Sequence, residues 1–240
     1  IDWSYQDQLI FLPIGISFYT LSAIGYMADV YWGKVKAEYS LVKTALFLGF
    51  FPVIVEGPIC RWEDVEDTLF KNESVKAENV FKGCYRIIWG LFKKMIIADR
   101  LAVLVDKVYV GYESYSGAVI VVAAISYTIQ LYMEFSGCMD MVIGSAGLFG
   151  IRLPENFSQP FFAKTCTDFW KRWHITLGVW FKNYIFYPVS ISKTARKWNK
   201  FTRKHFKGDF GKYVARMGIA AMALFPVWIS NGLWHGPECN

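Results

Sequence analysis

The 240-residue sequence is poor in charge, since Asp, Glu, Lys and Arg make up 19 % of it against about 25 % in ordinary soluble domains. Hydrophobic residues make up 54 % and aromatic residues 18 %. These values exclude an intrinsically disordered chain, because disorder requires low hydrophobicity and high charge. They also disfavour a soluble enzyme and indicate that much of the surface faces lipid.

The sequence also lacks the patterns of disulfide frameworks, metal clusters and nucleotide-binding loops. Its five cysteines are scattered and form no Cys-x-x-Cys pair, so we expect reduced thiols and no metal site. Gly144, Gly147 and Gly150 match neither the dinucleotide nor the phosphate-loop fingerprint. We interpret this spacing as close helix packing through small residues.

Positive charge is concentrated in one stretch. Residues 191–216 carry nine Lys or Arg against the single acid Asp209, a net +8, and the rest of the chain is therefore 6 − 8 = −2. Such a cluster is consistent with a nucleic-acid patch or with a cytoplasmic loop that obeys the positive-inside rule. We favour the loop and expect no nucleic-acid partner, because apolar runs flank the stretch and no nucleic-acid module surrounds it.

Two long apolar runs predict membrane spans. Residues 9–31 carry only Asp29, and residues 117–133 carry no charge; a span needs about 20 apolar residues. Residues 80–105 are apolar but interrupted by six charges, so we expect a helix in the interface or packed inside protein.

The second half predicts shorter elements. Residues 151–168 contain two prolines and predict a structured loop, after which Thr167 or Asp168 would cap a helix that continues through Tyr187. A last apolar helix follows over residues 213–233. The predicted fold is an all-α, polytopic membrane protein, a single membrane-embedded core over residues 1–240, with tilted, short and re-entrant helices around a protected interior.

Candidate chemistry rests on few residues. His174 and His235 both follow a Trp in an apolar setting, whereas His205 lies among basic residues. A membrane-embedded ionisable group is a functional candidate, although each histidine is also consistent with a hydrogen-bonded core residue. Glu134 and Asp140 are consistent with a proton path or with charge pairs inside the bundle.

Five stretches together carry a family resemblance. They are LPIGISFYTLSAIGYMADVYWG at 12–33, FFPVIVEGPICRWEDV at 50–65, EFSGCMDMVIGSAGLFGIRLPENFSQPF at 134–161, TDFWKRWHITLGVWFKNYIFYPV at 167–189 and NGLWHG at 231–236. In this order they resemble the bacterial branch of the membrane-bound O-acyltransferase (MBOAT) family, which includes alginate O-acetylating and teichoic acid D-alanylating proteins. The chain resembles a core fragment that lacks the family's N-terminal and C-terminal helices.

The resemblance implies a central funnel in which an acyl donor from the cytoplasm meets an extracytoplasmic hydroxyl. His235 matches the family's expected catalytic histidine and His174 its second histidine. The implied donor is an acyl thioester (acetyl-CoA or an acyl carrier protein), and no cofactor is expected to be bound. The implied location is the bacterial inner membrane, where the protein would be multi-pass and would work with periplasmic or extracellular polysaccharide-modifying proteins.

Chemistry suggests how such a site would work. We expect His235 to act as the general base and His174 to orient it or to stabilise the oxyanion. Further candidate donors or substrate-binding residues are Trp173, Trp234, Asn183 and Asn231.

Two rival hypotheses remain open. One is a transporter or flippase that uses Glu134 and Asp140 as a proton relay. The other is a scaffold that recruits a separate acetyltransferase.

Overall fold

The computed structural model describes residues 15–71 and 75–235, and of His235 it describes the backbone alone. All regular secondary structure in these ranges is helical, as predicted. The α-helices are α1 (Ile16–Tyr31), α2 (Leu41–Leu48), α3 (Phe51–Ile54), α4 (Trp62–Leu69), α5 (Ala77–Leu91), α6 (Asp99–Val110), α7 (Gly117–Leu148), α8 (Cys166–Trp170), α9 (Ile175–Phe181), α10 (Tyr187–Ser190), α11 (Lys193–His205) and α12 (Gly208–His235). Two π-helical segments, Phe92–Ala98 and Lys182–Phe186, join α5 to α6 and α9 to α10.

Of the described residues, one compact unit comprises 15–23, 38–57, 62–71 and 75–153. Its long helix α7 packs against α5, the first π-helical segment and α6. Glycines allow α5 and α7 to approach closely: Gly83 faces Gly144, and Gly90 faces Gly137. The predicted small-residue packing is therefore confirmed at Gly144.

The other two glycines of that predicted motif behave differently from Gly144. Gly147 makes only an ordinary contact with Gly83, since a side-chain Cβ placed at Gly147 would lie 3.9 Å from the Gly83 Cα. Gly150 lies just beyond α7 with φ +76°, a backbone conformation that favours glycine and ends the helix.

Helix α7 is longer than the predicted span over residues 117–133. It continues past Glu134 and Asp140 because cations from the neighbouring helices satisfy both carboxylates. Lys94 Nζ lies 2.7 Å from Glu134 Oε1, and Lys93 Nζ lies 2.6 Å from Asp140 Oδ2. Arg86 adds a contact of 3.0 Å to Asp140.

Two of the described helices, Gly117–Leu148 and Gly208–Trp234, are long and apolar enough to cross a membrane. Large apolar side chains on both are exposed, including Val121 and Ile125 on α7 and Phe225 and Trp228 on α12. Exposed apolar surface of this kind is typical of contact with lipid. Of the predicted span over residues 9–31, α1 covers Ile16–Tyr31, and residues 9–14 lie outside the described residues.

Of the described residues, the second compact unit comprises 24–37, 58–61 and 154–235. Here the expectation of a basic loop over residues 191–216 is wrong, because Lys193–His205 forms α11. Ser192 caps this helix by accepting a hydrogen bond from the backbone N–H of Ala195, and α11 packs against α12. The last helix is present but starts at Gly208, five residues before the predicted start.

The continuous helix predicted from Thr167 or Asp168 through Tyr187 is also wrong. The capping residue is Thr165, whose hydroxyl accepts from the backbone N–H of Asp168. Helix α8 ends at Trp170, and α9 starts only at Ile175. The cause of the break is a left-handed residue between them, which belongs to the candidate site.

Candidate functional site

His174 lies in the break between α8 and α9, in the left-handed conformation with φ 47° and ψ 52°. This conformation is uncommon for a residue other than glycine and costs on the order of 1–3 kcal/mol when the surrounding structure imposes it. The histidine is buried, at 6 % exposure. A strained, buried histidine at a helix start is a functional candidate rather than a filler of the core.

Asn156 is the residue that holds His174. Its side chain is fully buried, and its Oδ1 lies 3.1 Å from Nδ1 of His174. The same oxygen accepts from the backbone N–H of Thr176 at 3.1 Å and from the Thr176 hydroxyl at 3.0 Å. The backbone N–H of Ile175 donates to the Asn156 carbonyl at 2.9 Å. One asparagine thus ties the loop before α8 to the first turn of α9.

The network continues into the segment between α3 and α4. The backbone N–H of Ile59, a residue that is 2 % exposed, donates to the Thr176 hydroxyl oxygen at 3.1 Å. The site is therefore built from three stretches of chain that are distant in sequence. The hydrogen bonds of Asn156 Oδ1 and of the Thr176 hydroxyl tie these three stretches together.

Trp234, in the last turn of α12, packs against His174. Its indole ring lies edge-on to the His174 imidazole, with 6.0 Å between ring centroids. The backbone of His235 follows directly and ends α12, but the His235 side chain lies outside the described part of the structure. The expected action of His174 on His235 stays a prediction, whereas the adjacent Trp234 packs against His174.

The other predicted site residues occupy different surroundings. Trp173 packs among phenylalanines, with its ring stacked on Phe169 at 5.7 Å and edge-on to Phe157 at 5.2 Å. Asn183 lies in the second π-helical segment and is half-buried. Asn231 lies three residues before Trp234 on α12, a spacing that makes the two neighbours on the helix surface.

An ion pair lies at the C-terminal end of α8, the short helix that precedes the site. Arg172 Nε lies 3.0 Å from Asp168 Oδ1, and this hydrogen bond lowers the pKa of the Asp168 carboxyl below its ordinary value. Arg172 is thereby held near the turn that presents His174.

Sequence reasoning missed the buried polar partners of the site. Asn156 and Thr176 were not singled out, although an asparagine between the two prolines of a structured loop is a local signal for a hydrogen-bonding role. A separate buried carboxylate, whose partners the sequence did not indicate, is Asp29, which is 3 % exposed and accepts from the Tyr184 hydroxyl. Lys34 Nζ lies 3.2 Å from the same carboxylate.

Two further features considered in the sequence are His205 and a possible metal site. His205 is exposed in the last turn of α11, and its Nδ1 lies 2.9 Å from the Phe201 carbonyl oxygen. Among the residues described, no group of three or more His, Cys, Asp or Glu side chains is arranged to hold a metal ion.

A family model for the membrane-bound O-acyltransferase family (MBOAT) matches residues 34–203. A probable alginate O-acetylase AlgI from Pseudomonas putida is 36 % identical over 227 residues, which cover 95 % of this chain and 42 % of the relative.

Two further relatives carry other names. A peptidoglycan O-acetyltransferase from Helicobacter pylori is 32 % identical over 97 % of this chain and 45 % of the relative. A teichoic acid D-alanyltransferase from Bacillus subtilis is 28 % identical over 93 % of this chain and 53 % of the relative. The chain thus spans about half the length of these curated relatives, or less.

Proposed function

Because the chain belongs to the membrane-bound O-acyltransferase family, we propose that it is the core of a membrane-embedded enzyme that acylates hydroxyls of an extracytoplasmic polysaccharide. The observation that carries this proposal is the buried His174, fixed through Nδ1 by Asn156 and contacted by the Trp of the Trp-His-Gly motif. An acetyl group is the favoured acyl group, because the relatives from Pseudomonas putida and Helicobacter pylori, both more than 30 % identical to this chain, are named as O-acetylating proteins. D-alanyl transfer to teichoic acid is the alternative that the Bacillus subtilis relative supports.

The chemistry requires proton transfer in both directions. The acceptor hydroxyl attacks the thioester carbonyl and loses its proton to the imidazole of His235. The new C–O bond forms, the C–S bond breaks, and the imidazolium returns the proton to the departing thiolate. A positioned general base of this kind contributes about 10²–10⁴-fold in rate.

The remaining site residues would assist this step. His174 would orient His235 or polarise a reacting group, and an Asn183 or Asn231 amide or the Trp234 indole N–H would donate to the developing oxyanion. Trp173 would line the substrate path with its aromatic neighbours.

The membrane setting supplies the two substrates from opposite sides. We place the protein in the bacterial inner membrane as a multi-pass protein, a single core over residues 1–240 with tilted and re-entrant helices around a funnel. The basic α11 region would face the cytoplasm, where the donor, acetyl-CoA or an acyl carrier protein, is available. Periplasmic or extracellular proteins would continue the modification of the polysaccharide.

The transporter hypothesis is less well supported. It needs carboxylates that exchange protons, whereas Glu134 pairs with Lys94 and Asp140 pairs with Lys93 and Arg86. Such pairs are what a helical membrane protein forms to bury charge. The ion pairs therefore favour a structural role for both carboxylates.

The test is mass analysis of the envelope polysaccharide from cells with and without the full-length gene. Our proposal expects loss of an O-linked ester in the deletion strain, and the mass of the lost group identifies it as acetyl or D-alanyl. A transporter would alter the amount of polymer exported without removing an ester from it. The scaffold hypothesis predicts that His174→Ala leaves the ester in place, whereas we expect this variant to reduce it.

A further inference from the structure

We propose that Asn156 is a positioning residue that keeps neutral His174 in the Nδ1–H tautomer, so that its Nε2 is a hydrogen-bond acceptor in the reaction. This inference rests on the proposed acyltransferase function for its catalytic meaning. The tautomer itself follows from the hydrogen bonds alone. The tautomer decides whether His174 orients His235 or stabilises the oxyanion.

The first step is the orientation of the Asn156 amide. The backbone N–H of Thr176 points at one end of this amide, at 3.1 Å. A backbone N–H can only donate, so the atom it meets must be the amide oxygen. The opposite orientation would set the NH₂ group against another donor, although the observed one leaves Nδ2 without a hydrogen-bond partner among the described residues.

The second step is the hydroxyl of Thr176. Its oxygen accepts the backbone N–H of Ile59, and its own hydrogen is therefore available for Asn156 Oδ1, 3.0 Å away. The Asn156 oxygen now receives two donors from Thr176. Both contacts fix it as an acceptor.

The third step concerns His174. Its Nδ1 lies 3.1 Å from this same oxygen. Two acceptors facing each other would repel, so Nδ1 must carry a hydrogen. In the neutral imidazole the lone pair is then on Nε2.

The consequence for the reaction is specific. Neutral His174 cannot donate to an oxyanion through Nε2, because that nitrogen carries no hydrogen. It can instead accept a hydrogen bond from a reacting group or from a second imidazole. We therefore assign the orienting, hydrogen-bond-accepting role to His174 and leave oxyanion stabilisation to other donors.

The direct test is ¹⁵N NMR of full-length protein labelled at histidine and reconstituted in lipid. The His174 signals are assigned by their loss in His174→Gln. We expect, at neutral pH, a protonated pyrrole-type Nδ1 and an unprotonated pyridine-type Nε2. A pyridine-type Nδ1, or protons on both nitrogens, would overturn the proposal whether or not the protein transfers acyl groups.

Two variants test the consequence for activity. Asn156→Asp keeps an oxygen acceptor, whereas Asn156→Leu keeps a similar volume and removes it. We expect kcat in the Leu variant to fall at least about 10-fold further than in the Asp variant, with little change in KM, because misplacing a group in an active site by about 1 Å can cost about 10²-fold in rate.

A packing role gives the opposite order, since it predicts that the apolar Leu is tolerated better than the charged Asp. Equal or higher kcat in Asn156→Leu would therefore refute the positioning role. If every variant and the parent lack acyl transfer while the wild-type tautomer is as expected, the proposed function fails and the tautomer assignment stands.

Discussion

Replacement of Gly90 by Ala tests the packing of α5 against α7 with a single methyl group. A Cβ at Gly90 would lie 2.5 Å from the carbonyl oxygen of Gly137 and 2.8 Å from the Met141 side chain. The optimal separation of non-bonded heavy atoms begins at about 3.5 Å, so the two helices would have to separate by roughly 1 Å. Overpacking of this kind costs about 1–3 kcal/mol.

The matched control is Gly147→Ala, in the α7 helix of the same helix pair. Its Cβ would meet only the Gly83 Cα at 3.9 Å, which is ordinary contact. Both substitutions gain helix preference of Ala over Gly, at most about 1 kcal/mol in a helix interior and less at Gly147, which lies in the last turn of α7. The preference therefore favours Gly90→Ala, and a lower stability of this variant reports the steric cost.

We expect Gly90→Ala to be less stable than Gly147→Ala by about 1–3 kcal/mol. The assay is unfolding of the purified full-length protein in mixed micelles with increasing SDS, followed by circular dichroism. Equal midpoints for the two variants would refute the close approach at Gly90.

Two further predictions follow from charge. Asp140→Asn removes the carboxylate that Lys93 and Arg86 share, and we expect the free energy of unfolding to fall by roughly 2–4 kcal/mol in the same assay. The exposed control Asp209→Asn should change it by less than about 1 kcal/mol. Equal losses in the two variants would contradict a structural role for the Asp140 pairs. Lys200→Cys, in a background without the five native cysteines, should resist a membrane-impermeant thiol reagent in intact cells and react after permeabilisation. Labelling in intact cells would reverse the proposed orientation.

The sequence predicted helices well where the signal was local. The uncharged run after Gly117 correctly located α7, but its end was missed because the partners of Glu134 and Asp140 lie 40 to 54 positions away. Ion pairs at such separations are not visible in a hydropathy pattern.

In α11, charge concealed a helix. Ala195 and Thr202 are buried on one face of it, with Trp198 between them, at the three- and four-residue spacing of an amphipathic helix. That spacing was present in the sequence, and the high density of Lys and Arg directed the interpretation to a loop.

At the site, residue type was enough to select His174 as a candidate, but it did not identify the residues that hold His174 in position. The left-handed backbone of His174, which ended the predicted helix, depends on Asn156, 18 positions away. The Thr176 hydroxyl depends on Ile59, 117 positions away. Propensity describes single residues and neighbours, so contacts of this kind emerge only when the chain is folded.

The central claim is that His235 is the base of an acyl transfer, and the most direct measurement is the ester content of the envelope polysaccharide made by His235→Ala. The variant is expressed as the full-length protein, with the ester normalised to its abundance in the membrane and with His205→Ala as the control. We predict normal abundance and a rate of ester formation at least about 10²-fold below the parent, with near-parental ester in the control. Ester formation at the parental rate in His235→Ala would contradict the mechanism.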